Sequence, residues 1–275
     1  MLNLAHFSVL PEQQAAKYAN KTALTYKDYD SNQWLPISYA TLAEKLKLVS
    51  RALLHYGIAR KQVVAVFSNN KPECLMTAFG CYGIGAVTTP FYPNSSGAQI
   101  TFMMNHAEVR VLFVGEQAQY DTAMTVITHC DHIEHLVIFD RKVERKPEDK
   151  LSIYFDEFLA LGNGSVEAYD AEIAARKAQA SHDDLADILF TSGTTGQSKG
   201  VMITHKMYRA CCIGTGANIP TDENDIFLNF LPYPHIFARA WSYYGVAIGC
   251  EQAVNLRPQE VLTSLQEVRP TCMCA

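Results

Sequence analysis

An α/β fold of layered, largely parallel sheets flanked by helices is the class this sequence predicts, and three observations carry it. Short apolar runs such as Val63-Val64-Ala65-Val66-Phe67 recur along the chain, with the length of buried strands rather than helices. Between them lie stretches whose apolar residues fall at three- and four-residue spacing, as in Leu42, Leu46, Val49 and Leu53, so each buries one helical face. The two kinds of segment alternate, and parallel neighbours need a crossover of that kind. With 275 residues, 48% of them hydrophobic and 19% charged, the chain can bury a substantial core.

In order, residues 10–19 read as a short helix, and 23–26 with 34–37 as two short strands around a polar turn. Ser38 suits a helix cap, because its hydroxyl can accept from a first-turn N–H, and Gly57 suits the exit of that helix. Residues 63–67 form a buried strand, and Pro72, whose missing N–H costs nothing in a first turn, opens a helix running to about residue 82. A strand at 86–89, a helix at 98–105, a strand at 109–114, a helix through 127 and a strand at 136–139 follow. The charged interval 141–150 reads as an exposed loop, since packing so many charges carries a desolvation cost. Helices at 156–161 and 168–179 come next, then strands at 185–190 and 201–203 and a helix from His205. A strand at 226–231, a helix through 248 and a helix at 258–268 complete the alternation, and residues 268–275 read as the approach to a further strand. The expectation is therefore a partial domain.

Composition narrows the function. A formal charge of -5 argues against a broad basic face for nucleic acid. No stretch reaches the roughly 18 uninterrupted apolar residues of a spanning helix. Met1-Leu2-Asn3-Leu4-Ala5-His6 lacks the basic region and apolar run of a signal peptide. Most of the eight cysteines sit in apolar segments, where a reduced thiol packs as a small hydrophobe, and the expected compartment is the cytoplasm. Cys272-Met273-Cys274 is one residue short of the spacing used by redox and zinc sites. His129, His132 and His135 have metal-like spacing without a matching carboxylate or cysteine set. Arg141, Lys142, Arg145 and Lys146 solvate a loop, with contact to anionic lipid at a membrane periphery as the second reading.

Chemistry concentrates in Phe190-Thr191-Ser192-Gly193-Thr194-Thr195-Gly196-Gln197-Ser198-Lys199-Gly200, which follows one strand-like run and precedes another, Val201-Met202-Ile203. Closely spaced glycines let backbone N–H groups turn toward an anion, the hydroxyls add donors, and lysine adds a mobile charge. Those are the requirements of a polyphosphate cradle, although a flexible hairpin has the same composition. An ordinary P-loop is excluded by position: counted from Gly193, Ser198 stands where glycine precedes the lysine, and Gly200 stands where Ser or Thr holds magnesium. Ser192 as a nucleophile lacks the Gly-x-Ser-x-Gly elbow.

With Thr204-His205 behind it, this stretch resembles the signature of the acyl-adenylate-forming superfamily, which includes acyl-CoA synthetases, luciferases and peptide-synthetase adenylation domains. Leu231-Pro232-Tyr233-Pro234-His235-Ile236-Phe237-Ala238-Arg239 is similar to the segment lining the acyl pocket in the long-chain branch, and Val268-Arg269-Pro270-Thr271 to the approach to a further family strand. The resemblance covers nearly the whole chain. It implies that residues 1–275 are a partial N-terminal AMP-binding domain, most like that of a long-chain fatty-acid–CoA ligase.

The implied reaction joins a fatty acid to CoA at the expense of ATP, with Mg2+ as cofactor and an acyl-adenylate between. Thr191, Ser192, Gly193, Thr194, Thr195, Gly196 and Lys199 would surround the phosphates, Lys199 reaching the β and γ groups. His235 would orient the acyl carboxylate or gate its channel, and Tyr233, Ile236 and Phe237 would shape the apolar side or pack in the core. Two positions depart from the pattern: Ser198 where proline is frequent, and Ala238 where glutamate is frequent before Arg239. Arg239 itself reads as a solvated helix arginine, with contact to a carboxylate or phosphate as the second reading. No family segment for adenine, ribose or magnesium, and no second catalytic lysine, falls within the chain, which is therefore expected to be inactive alone. An aryl or amino-acid adenylating enzyme, and a truncated nucleotide-binding or interaction module without catalysis, stay open as alternatives.

Overall fold

The computed structural model describes residues 4–191 and 198–274. Within them the alternation resolves into two sheets. The larger has β7-β6-β5-β3-β4-β8-β9 as its strand order: β3 (Val63–Phe67), β4 (Val87–Phe91), β5 (Val109–Val114), β6 (His135–Ile138), β7 (Ser152–Tyr154), β8 (Leu185–Thr191) and β9 (Lys199–Thr204). Neighbours are parallel except β8 and β9, which pair antiparallel as a hairpin. The smaller sheet runs β12-β10-β11-β1-β2, from β1 (Thr22–Asp28), β2 (Gln33–Ser38), β10 (Ile226–Asn229), β11 (Glu251–Val254) and β12 (Cys272–Met273).

Helix α1 (Leu10–Tyr18) precedes the first strand, and α2 (Tyr39–His55), α3 (Pro72–Gly83), α4 (Gly97–His106) and α5 (Gln117–Val126) connect the strands that follow. Later come α6 (Phe155–Leu161), α7 (Val166–Ala178), α8 (His205–Asn218), α9 (Ile236–Ile248) and α10 (Val261–Val268). Two-residue alternation along the strands splits the core. Val64 and Val66 of β3 join a cluster with α2, α3, α9 and the smaller sheet, whereas Val63, Ala65 and Phe67 join α4 and α5. Ser38 caps α2 by accepting from the Thr41 N–H, as its sequence position suggests. Where α3 crosses α2 the contact is close: a Cβ on Gly80 would lie 2.7 Å from the Val49 Cβ. Gly249 closes α9 at φ 79°, a left-handed exit that favours glycine.

The fold class is as the sequence predicts, with three local corrections. Strand β11 goes undetected because Glu251 and Gln252 hide its pattern; Gln252 is buried and its side-chain oxygen accepts from the Asn229 amide at 2.7 Å. Strand β7 also goes undetected, being an edge strand of three residues. The interval 141–150 is not wholly exposed, since Val143 and Asp149 are buried. Asp149 accepts from the Tyr120 hydroxyl at 2.8 Å and the Leu151 N–H at 2.9 Å, so its charge is satisfied locally.

Candidate functional site

The β8–β9 hairpin places the first two candidate residues. Its register sets Thr191 directly opposite Lys199, and both are exposed at the end of the pair from which the connecting segment leaves. Lys199 thus begins a strand rather than ending a loop. Ser192, Gly193, Thr194, Thr195 and Gly196 lie outside the described residues.

His235 is held by a different element. After β10 the chain turns through residues 230–235, and the buried Asn70 pins that turn: its amide donates to the Leu231 carbonyl at 2.9 Å and its oxygen accepts from the Tyr233 N–H at 3.1 Å. His235 is the N-cap of α9, with Nδ1 accepting from the Phe237 N–H at 3.3 Å. With Nδ1 as acceptor, a neutral imidazole there carries its proton on Nε2, which is then a donor. Ile236 and Phe237 beside it are 42% and 48% exposed, whereas Tyr233 is buried. The first two therefore offer apolar surface next to His235, and Tyr233 packs in the core.

Arg239 is the main correction. It is not a solvated helix arginine: it is 3% exposed and its guanidinium grips Asp187 of β8, Nε to Oδ2 at 2.6 Å and Nη2 to Oδ1 at 2.9 Å. Asp187 also accepts from the hydroxyls of Tyr82 (3.0 Å), Tyr208 (2.6 Å) and Thr88, and more distantly from Tyr243. Burial is the largest single influence and would depress the Arg239 guanidinium, but the Asp187 charge together with the surrounding Tyr243, Tyr82 and Tyr208 outweighs it, and the net direction is well upward. Burial, reinforced by the Asp187 charge, drives the Tyr82 and Tyr208 hydroxyls far up and keeps them neutral donors. Sequence reading missed the role of Asp187. The available signal was an acid inside the apolar run Leu185-Ala186-Asp187-Ile188-Leu189-Phe190.

A second polar cluster adjoins it. The rings of His6 and His205 lie 4.2 Å apart, His6 and His182 5.1 Å, and Tyr82 meets His205 edge-on at 4.8 Å. Burial first, then the neighbouring His6, lowers His205 from its ordinary 6.5 to about 3. Between those two values the unfolded chain binds a proton that the folded chain refuses, so this contribution to stability is intact above about 6.5 and lost as pH falls toward 3. Lowering pH to 5.5 is expected to cost about 1.4 kcal/mol through His205 alone. Urea denaturation at pH 7.5 and 5.5 checks this: His205→Phe should lessen the pH dependence by about half a proton averaged over that interval. An unchanged dependence would contradict it.

A cleft of about 590 Å³ opens elsewhere, at the carboxyl ends of β1, β3, β6 and β11, and does not include Thr191, Lys199 or His235. Its charges pair across it, Lys71 with Asp140 at 3.5 Å and Lys142 with Asp30. Among the described residues, no three His, Cys, Asp or Glu side chains converge in the manner of a metal site. His135 instead stacks on Tyr56 at 3.6 Å. Among the described residues, too, no helix is long and apolar enough to cross a membrane.

Comparison with known proteins agrees with this architecture. The family model described as AMP-binding enzyme matches residues 11–275. A peroxisomal long chain acyl-CoA synthetase of Arabidopsis thaliana is 26% identical over 90% of this chain and 34% of its own length. A long-chain-fatty-acid–CoA ligase of Xenopus laevis is 26% identical over 94% of this chain and 35% of its own. The chain thus spans about a third of these relatives. The solved structure of the anthranilate CoA ligase AuaEII with anthranoyl-AMP superposes with a TM-score of 0.80 at 18% identity, covering 98% of this chain and 49% of that one, a likeness of fold.

Proposed function

The chain belongs to the AMP-binding enzyme family, and from that premise we propose that it serves the ATP-dependent activation of a medium- or long-chain fatty acid to its CoA thioester. The observation that carries the reading is the register of Thr191 against Lys199, which sets a hydroxyl and an ammonium at the two ends of the Gly/Thr segment. Support comes from His235, exposed at the start of α9 together with the apolar Ile236 and Phe237.

In this reading Thr191, Ser192, Gly193, Thr194, Thr195 and Gly196 surround the ATP phosphates and Lys199 balances the charge of the β and γ groups. A fatty carboxylate oxygen, oriented by His235, attacks the α phosphorus; the bond to pyrophosphate breaks and an acyl-adenylate forms. The sulfur of CoA then attacks the acyl carbonyl, its proton passes to solvent, and AMP leaves with the electron pair of the C–O bond. The chain's own contribution is alignment and charge neutralisation, which dominate phosphoryl chemistry. Mg2+ and CoA belong to the proposed reaction without an assigned residue. We further propose that residues 1–275 are a partial N-terminal AMP-binding domain that does not complete acyl-CoA formation by itself, acting in the cytoplasm or at a membrane periphery.

Calorimetric titration with fatty-acyl, aryl and aminoacyl sulfamoyl adenosines tests the substrate class. The fatty-acyl analogue is expected to bind most tightly. Preference for the aryl or aminoacyl analogue would move the assignment to those acids, and robust acyl-CoA formation from ATP, Mg2+, CoA and fatty acid would overturn the incompleteness.

A further inference from the structure

The Asp187–Arg239 pair is buried, yet it is joined along the chain to both halves of the candidate site. Asp187 lies four residues before Thr191 on β8, a strand step of roughly 13 Å. Arg239 lies one helical turn after His235, and its N–H bonds the His235 carbonyl at 3.1 Å. The hydroxyls that complete the shell come from three further elements: Tyr82 of α3, Thr88 of β4 and Tyr208 of α8. Of these, α8 follows directly from β9, so the hairpin is held from both of its strands.

A buried ion pair is a poor source of stability, because desolvating two charges consumes most of their attraction. What it supplies is geometry: the guanidinium fork accepts one orientation of the carboxylate, and hydroxyls surround both of its oxygens, Tyr82 and Thr88 at Oδ1 and Tyr208 at Oδ2. We propose that Asp187 and Arg239 are a positioning pair that sets the separation between His235 and the Thr191–Lys199 end of the hairpin. The role rests on the function proposed above, whereas the geometry does not. The pair touches no reacting atom and acts through α9 and β8.

Distance measurement separates the two. Genetically encoded spin labels at the exposed Val201 and Ile236 leave the eight native cysteines untouched. Arg239→Lys keeps the charge and loses the fork, and Asp187→Asn keeps the volume and loses the charge. With the fold retained by circular dichroism, either variant is expected to broaden a narrow Val201–Ile236 distance distribution. A fatty-acyl sulfamoyl adenosine, which spans both halves of the site, should then bind roughly 10-fold or more weakly, as a misplacement of about 1 Å implies. ATP, which meets the hairpin alone, should lose less. A distribution as narrow in both folded variants as in the wild type overturns the positioning role, whatever the binding shows. Wild-type protein that binds neither ligand, with the variant distributions still broadened, overturns the proposed function and leaves the positioning pair standing.

Discussion

Asp187→Ala is expected to destabilise the fold by roughly 3–5 kcal/mol, the range for removing one member of a buried ion pair. The carboxylate is fully buried and is the common acceptor for Arg239 and several hydroxyls. Its loss leaves a guanidinium that is 3% exposed without a counter-charge, and the Tyr82 and Tyr208 hydroxyls without this acceptor. Water cannot make good the deficit without opening the junction of α3, α8 and α9. In a chain of this size the penalty corresponds to a melting-temperature drop on the order of 10 °C. Urea denaturation of the two proteins at neutral pH reads the difference directly. A loss below about 1 kcal/mol, typical of surface positions, would mean that the pair is not the buried junction described.

The same residues show where sequence reading succeeds and where it stops. Runs such as Val109–Val114 and the stripe Leu42, Leu46, Val49 and Leu53 are legible because burial on a strand or one helix face imposes a period that composition alone displays. Strand β11 is not legible, because Gln252 is buried yet polar and its partner, Asn229, lies 23 residues away on the neighbouring strand. Arg239 defeats local reading for the same reason. An arginine on a helix is ordinarily solvated, and only the carboxylate 52 residues earlier makes its burial tolerable. Asn70 likewise fixes the turn before His235 from 161 positions away. Local patterns reveal which segments face the core; they do not reveal which polar groups meet inside it.

The candidate site divides along that line. Thr191 and Lys199 are legible as a motif, and the hairpin register adds that they face each other across β8 and β9. His235 is legible by resemblance, and the structure adds its tautomer through the contact with the Phe237 N–H. Ser192, Gly193, Thr194, Thr195 and Gly196 rest on sequence alone, which makes Lys199 the most direct point of attack on the whole account.

Lys199 is exposed at the first position of β9, so its truncation opens no cavity and should change stability by no more than about 0.5 kcal/mol. If its ammonium meets the β and γ phosphates, however, a charge-assisted contact of roughly 1.5–3 kcal/mol disappears with it. Calorimetric titration of ATP into the wild-type chain and into Lys199→Ala measures that contact without requiring turnover. The expected result is saturable ATP binding by the wild type and an affinity roughly 10- to 100-fold lower in a variant that unfolds at the same urea concentration. Equal affinity in the two proteins, or no binding by the wild type, would contradict a phosphate grip at residues 191–199.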